Sequence, residues 1–336
     1  MPKVVEHEKL LENKKIHGLE FLRKYGVIFG LIGVIIFFSI KESEYFFTPS
    51  NFLTIAKQSS VNILLALGEM FAILSAGIDL SVSSMAGLAG AIFAGTTLSA
   101  NGNVFIGALA ALATGIAFGI FNGILVAYGK LPPFIATLAS MSIGRGLLLI
   151  YTNGAPIWGL PESFYFLGQG YFLGIPFPFI VVIGSGLIVW FILSYTTFGR
   201  SVYSVGGNIK AAYASGIRVK RVLILVFAIS SFFAALGGMV LTSRLGSAQP
   251  NAGLGYELDA IAAVVIGGTS LFGGEGWVLG TILGGFLIAT LNNGMAIMNI
   301  SPYVQQLVKG FVIVLAVLPS TLGKKFWNEW FLFHQN

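Results

Sequence analysis

A chain of 336 residues could form two or three water-soluble domains, but 56% of this one is hydrophobic and only 10% is charged. A soluble fold so apolar could not clothe its surface in polar groups, because soluble domains average roughly 25% charged residues. The absence of cysteine excludes disulfides, thiolate metal sites and cysteine nucleophiles; His7, His17 and His334 stand in the two tails, so no histidine metal site or Ser-His pair is expected in the core, and no cofactor.

In chain order, residues 1–24 are hydrophilic and mixed in charge, and read as an N-terminal arm without a cleavable signal. Apolar runs long enough, or nearly so, to cross a bilayer follow at 25–40, 52–75, 82–98, 104–128, 134–151, 179–195, 222–242, 257–272, 276–297 and 303–320. The expected fold is therefore an all-α polytopic membrane protein with about ten transmembrane helices. The second, third and eighth runs are short or polar enough to be broken or re-entrant. Residues 25–320 form the membrane domain and 321–336 a tail. With the N-terminus in the cytoplasm, that side holds Lys3, Lys9, Lys14, Lys15, Arg23, Lys24, Lys130, Arg200, Lys210, Arg218, Lys220, Arg221, Lys324 and Lys325. The opposite loops hold only Lys41 and Arg244. Positive charge concentrated inside places both termini in the cytoplasm and explains the net charge of +6 without nucleic acid.

Around the end of the second run, Glu69 and Asp79 are ionisable groups at membrane depth, where each needs protein, water or a partner charge. Ser75-Ala76-Gly77-Ile78-Asp79-Leu80-Ser81 reads as a helix break, with Asp79 or Ser81 capping the next helical segment. Glu69 has no capping role and is a candidate for a pathway or interhelical contact, with Arg145 as a candidate partner. Asn62, Asn122, Asn292 and Asn293 are amides that either bond helix to helix or line a wet pathway. Glu257 and Asp259 open the eighth run, where a carboxylate suits a helix N-terminus.

Small residues recur every fourth position at Gly107, Ala111, Gly115, Gly119 and Gly123, and again at Gly276, Gly280 and Gly284. Such stripes let helices approach closely in lipid. Each is followed by Asn-Gly (Asn122-Gly123, Asn293-Gly294), then by Pro133-Phe134 or Pro302-Tyr303, then by Arg145-Gly146 or Lys309-Gly310. These features, recurring in order five spans apart, predict an inverted internal repeat, an arrangement that suits a transporter. No P-loop is present: Gly129-Lys130 is followed by Leu131 and Gly323-Lys324 by Lys325. Gly274-Glu275-Gly276-Trp277 reads as a tight turn rather than a dinucleotide loop. Transport energy must come from an ion gradient or from another chain.

The interior loop 199–221 contains Asn208-Ile209-Lys210-Ala211-Ala212-Tyr213-Ala214-Ser215-Gly216, two short helical turns ended by Gly216. Here the chain resembles bacterial ABC importer permeases, whose ATPase-contacting loop reads Glu-Ala-Ala-x-x-x-Gly; Lys210 stands in the place of Glu. Leu74 to Val82, Phe134 to Leu138, Tyr151 to Gly154, Tyr203 to Asn208 and Ser247 to Leu271 are similar to the permeases for ribose and related monosaccharides. The resemblance implies a non-catalytic, type II-like permease that works as a homodimer. It also implies a separate cytoplasmic ATPase, an extracytoplasmic solute-binding protein, and ATPase coupling through Gly206, Gly207, Asn208, Lys210, Ala211, Ala212 and Gly216. Within it, ribose, another pentose or hexose, autoinducer-2 or a nucleoside remain open as cargo. An ion-coupled carrier using Glu69, Asp79 or Lys309 is the rival from another class.

Overall fold

In the computed structural model the protein is described over residues 25–315 and 318; the arm 1–24 and the tail 321–336 lie outside them. Where the chain is apolar for some twenty residues it satisfies its own backbone as helix. α1 (Tyr25–Lys41) is followed by α2 (Pro49–Leu74), α3 (Val82–Ser99), α4 (Val104–Ala127) and α5 (Pro133–Thr152). Next come α6 (Glu162–Gln169), a two-stranded hairpin of β1 (Tyr171–Phe172) and β2 (Ile175–Pro176), and α7 (Phe177–Tyr195). The chain continues through α8 (Thr197–Gly207), α9 (Ile209–Ala214), α10 (Val219–Leu245), α11 (Tyr256–Ile266), α12 (Val278–Ile297) and α13 (Pro302–Leu315).

Six of these helices, α3, α4, α5, α7, α10 and α12, are long and apolar enough to cross a membrane by length and composition. α2 is 26 residues long but carries Lys57, Gln58, Asn62 and Glu69. It runs unbroken, so the expected break falls after it, at residues 75–81. α3 begins where the sequence places it. The eighth run is the shortest of the expected spans, with only 11 residues of helix in α11, or about 16 Å.

Burial sorts the helices. α2, α3, α10 and α12 are mostly interior, whereas α4, α5 and α7 turn most of their surface outward. Tyr171 lies against Lys57 near the start of α2, and Gly206 against Leu74 at its end. α2 thus runs from the hairpin end of the bundle to the end that carries α8 and α9.

The glycine stripes do what their spacing predicts. A Cβ at Gly115 would sit 2.6 Å from Ala235 Cβ and 2.8 Å from the Ser231 carbonyl oxygen, and one at Gly119 would meet Phe227 and Ala228. α4 and α10 therefore touch backbone to backbone. At Gly280 and Gly284 of α12 the obstacles are the carbonyls of Gly267 and Ala263, at the end of α11 and within it. Gly276 lies before α12, in the connecting loop, so the second stripe is shorter as a helix face than its spacing suggests. Gly119→Leu should abolish α4–α10 contact and lower the thermal midpoint in detergent sharply, by an overpacking cost of about 1–3 kcal/mol or more. Gly146→Leu, where a Cβ meets nothing within 4 Å, should leave the midpoint unchanged.

Candidate functional site

Two groups of predicted residues gather at the α8–α9 end of the bundle. The first is the break between α2 and α3. Glu69 and Asp79 are both fully buried. Glu69 Oε1 accepts the Asp79 backbone N–H at 3.0 Å, tying the extended segment back onto α2. Asp79 Oδ1 accepts the backbone N–H of Ser81 at 3.0 Å and also the Ser81 hydroxyl. Asn122 of α4 donates from Nδ2 to Ser81 Oγ at 2.8 Å. Thr137 of α5 donates to the Ile78 carbonyl at 3.0 Å and accepts the Leu80 N–H at 3.2 Å. The break is thus held from both sides. Neither Asp79 nor Ser81 caps α3 with its side chain, contrary to the capping reading: Asp79 turns back on Ser81 just before the helix, and Glu69 is its anchor within the core.

Arg145 is not the partner of Glu69. Its Nη1 donates to the Ala252 and Pro250 carbonyls at 2.9 and 3.4 Å, holding the 246–255 loop over α5. Glu257 and Asp259 both stand in the first turn of α11, as expected, but neither carboxylate caps it; the helix starts from Gly255 in the left-handed region. Instead Lys309 Nζ reaches Asp259 Oδ1 and Oδ2 at 3.0 and 3.2 Å, joining α13 to α11. Of the amides, Asn122 serves as interhelical glue. All four amides, Asn122 included, keep a buried side-chain oxygen with no hydrogen-bond partner among the described residues; Asn62 lies on α2, and Asn292 and Asn293 on α12. No three carboxylate or imidazole groups converge as a metal site among the described residues.

The second group is the loop 199–221. Its first part is itself a helix, α8, where the sequence pattern predicts a loop. Asn208 separates α8 from α9 with extended backbone, and its Oδ1 accepts the N–H groups of Lys210 and Ala211, both at 3.0 Å. Gly216 closes α9 with φ +80°, its N–H reaching the Tyr213 carbonyl while Ile217 reaches Ala212. Ala212 points inward and is buried. Gly207, Asn208, Ile209, Lys210, Ala211 and Tyr213 face outward, Tyr213 at 76% exposure.

The corner between α8 and α9 rests directly on the break. A Cβ at Gly206 would collide with the Leu74 carbonyl and with the backbone of Gly274. Gly274 N–H donates to that same Leu74 carbonyl at 2.9 Å. Gly273 packs on Ala76, and Tyr203 Oη donates to the Gly276 carbonyl at 3.0 Å. Burial pushes the Tyr203 phenol above its ordinary range, so it remains a donor at physiological pH. Sequence reasoning found Gly206 and the turn at Gly274, where φ is positive, but gave Tyr203 and Gly273 no role; the adjacent glycines 273 and 274 were the available signal.

Asp79→Ala should remove two hydrogen bonds from a dry site and lower the unfolding free energy by about 1–3 kcal/mol. Asp79→Asn, which keeps an acceptor for Ser81, should cost less; thermal unfolding in detergent orders the two.

A family model described as branched-chain amino acid transport system / permease component matches residues 51–317. The ribose import permease of Bacillus subtilis (strain 168) is 47% identical, covering 91% of this chain and 95% of its own. That of Escherichia coli (strain K12) is 43% identical, covering 86% and 91%. The D-allose transport system permease of Escherichia coli (strain K12) is 40% identical, covering 94% and 96%. No solved structure matches this chain.

Proposed function

This chain belongs to the branched-chain amino acid transport system / permease component family, among its sugar importer permeases, and from that premise we propose that it is the membrane-spanning subunit of an ATP-binding cassette importer carrying a monosaccharide, ribose first. The observation that carries the reading is α9: a self-capped helix of six residues, exposed on one side and seated by the α8–α9 corner on the α2–α3 break. A surface so built can receive force from a separate ATPase and pass it to the membrane helices. Its outward residues Gly207, Asn208, Lys210 and Ala211 meet the ATPase; Gly206, Ala212 and Gly216 set the shape behind them.

In this reading ten helices, α1–α5, α7 and α10–α13, cross the membrane as two inverted halves. Packing supports the pairing. α4 lies against α3 of its own half and α10 of the other, and α12 likewise lies against α11 and α2. α2 and α3 also pack on α10, at Gly68 and Gly90, so the two halves interlock along several helices. Two copies of the chain form the pathway, and the buried amides Asn62, Asn292 and Asn293, with oxygens left free, suit a hydroxyl-rich solute that is passed on rather than held. The hairpin end faces the solute-binding protein outside. The α9 end, with both termini, faces the cytoplasm, and the protein works in the cytoplasmic membrane without cofactor or catalysis of its own.

Gly207→Leu separates this role from folding, because a Cβ there meets nothing within 4 Å. In proteoliposomes containing the permease, its ATPase and its binding protein, Gly207→Leu should lose at least tenfold in ATP-driven ribose uptake, with an unchanged thermal midpoint. Tyr203→Phe should retain ATP hydrolysis and lower the sugar moved per ATP. Normal uptake and coupling in both variants would refute the assignment of α8–α9 as the ATPase contact.

A further inference from the structure

The β1–β2 hairpin presents a surface that does not suit water. Its strands pair Tyr171 with Pro176 and Phe172 with Ile175, leaving Leu173 and Gly174 as the two turn residues. Both have positive φ, 52° and 78°, the conformation for which Asn-Gly is the favoured sequence. Asparagine at the first position would relieve backbone strain and hydrate well. Leucine stands there instead, 88% exposed, with Tyr171, Phe172 and Ile175 exposed around it.

Position tells what covers this tip. From Ser163 to Gly199 no residue is charged. β2 runs without a break into α7, whose 19 residues span about 28 Å, close to the roughly 30 Å of a bilayer's hydrocarbon core. The first turn of α7 therefore lies at the edge of that core. The Phe177 N–H donates to the Gly170 carbonyl at 2.8 Å and fixes the hairpin at this level. The tip is continuous with the outward face of α7, where Ile183, Leu187, Ile188 and Phe191 are exposed. Lys57 of α2 stands over the Tyr171 ring at 4.5 Å and donates to the Gln169 carbonyl at 3.4 Å, a cation beside aromatic groups of the kind that anchors at a membrane interface.

We propose that the β1–β2 hairpin is a membrane-interface anchor: its tip inserts Phe172 and Leu173 among the lipid chains at the end of the bundle opposite α9, and Lys57 faces the lipid phosphates. An apolar tip of four exposed side chains, joined to a helix with an exposed apolar face, fits a bilayer rather than a protein partner. The anchor fixes the height of α6 and of the α7 entrance relative to the membrane surface. It does not rest on the transport reading.

A chain with no cysteine makes the test direct. Single variants Leu173→Cys, Phe172→Cys, Leu187→Cys and Tyr213→Cys would carry a nitroxide in phosphatidylethanolamine/phosphatidylglycerol nanodiscs, with no other protein present. Collision with oxygen and with a water-soluble nickel chelate would be compared by paramagnetic resonance. The expected result is an oxygen-to-nickel ratio at 172 and 173 within about twofold of the lipid-facing position 187, and several-fold above the aqueous position 213. Ratios at 172 and 173 matching that at 213 would overturn the proposal. So would labels at 172 and 173 that stay mobile and aqueous in the nanodiscs and become immobilised only when the solute-binding protein is added in a second step. If Leu173→Cys fails to fold, Phe172→Cys decides alone.

Discussion

A bilayer offers no hydrophobic gain when two apolar helices meet, so close packing between backbones must supply the cohesion that water supplies elsewhere. Nearly every structural feature of this protein follows from that constraint. α4 meets α10 through Gly115 and Gly119, and α12 meets α11 through Gly280 and Gly284. At the α9 end the same device joins three separate stretches of chain. Gly206, Gly273 and Gly274 bring α8, the 267–277 loop and the end of α2 into one backbone contact. Side chains there would hold those segments apart.

Close approach leaves little room for water, which makes the polar groups at the break consequential. Leu74 is the last residue of α2, and the chain then turns through Ala76 with φ 62°. Those turned backbone groups need partners in a dry interior. Glu69, Asp79 and Thr137 supply them, from α2, the break itself and α5; the Ser81 hydroxyl bonds onto the Asp79 carboxyl, and the Asn122 amide onto that hydroxyl in turn. The carboxylates are thus a consequence of turning the chain between α2 and α3 within a buried interior. A continuous helix would not need them, and could not offer the α8–α9 corner a carbonyl such as that of Leu74 to rest on.

Most of the helix positions were legible because a long apolar run has one solution in lipid. The glycine stripes were legible because a repeat of four maps to one helix face. The helix break at 75–81 and the closure of α9 by Gly216 followed from local chemistry, whereas Asp79 bonds Ser81 before α3 instead of capping the helix. Contacts between distant stretches were not legible. Arg145 finds the carbonyls of 250 and 252, and Asp259 finds Lys309, because tertiary packing carries α5 beneath the 246–255 loop and α13 beside α11. Neither pairing leaves a local pattern in the sequence. α8 reads as loop because Gly199, Gly206 and Gly207 weaken a helix by propensity, and packing on α2 overrides that weakness.

The ion pair between Lys309 and Asp259 carries a consequence for motion. Both charges lie largely away from water, at 23% and 5% side-chain exposure. Drawing them apart would strand an ammonium and a carboxylate in surroundings of low polarity, at a cost far above that of sliding apolar surfaces. α13 has few other polar ties among the described residues, so this pair acts as an electrostatic leash. Separating α11 from α13 therefore carries an electrostatic cost that separating purely apolar helix faces does not.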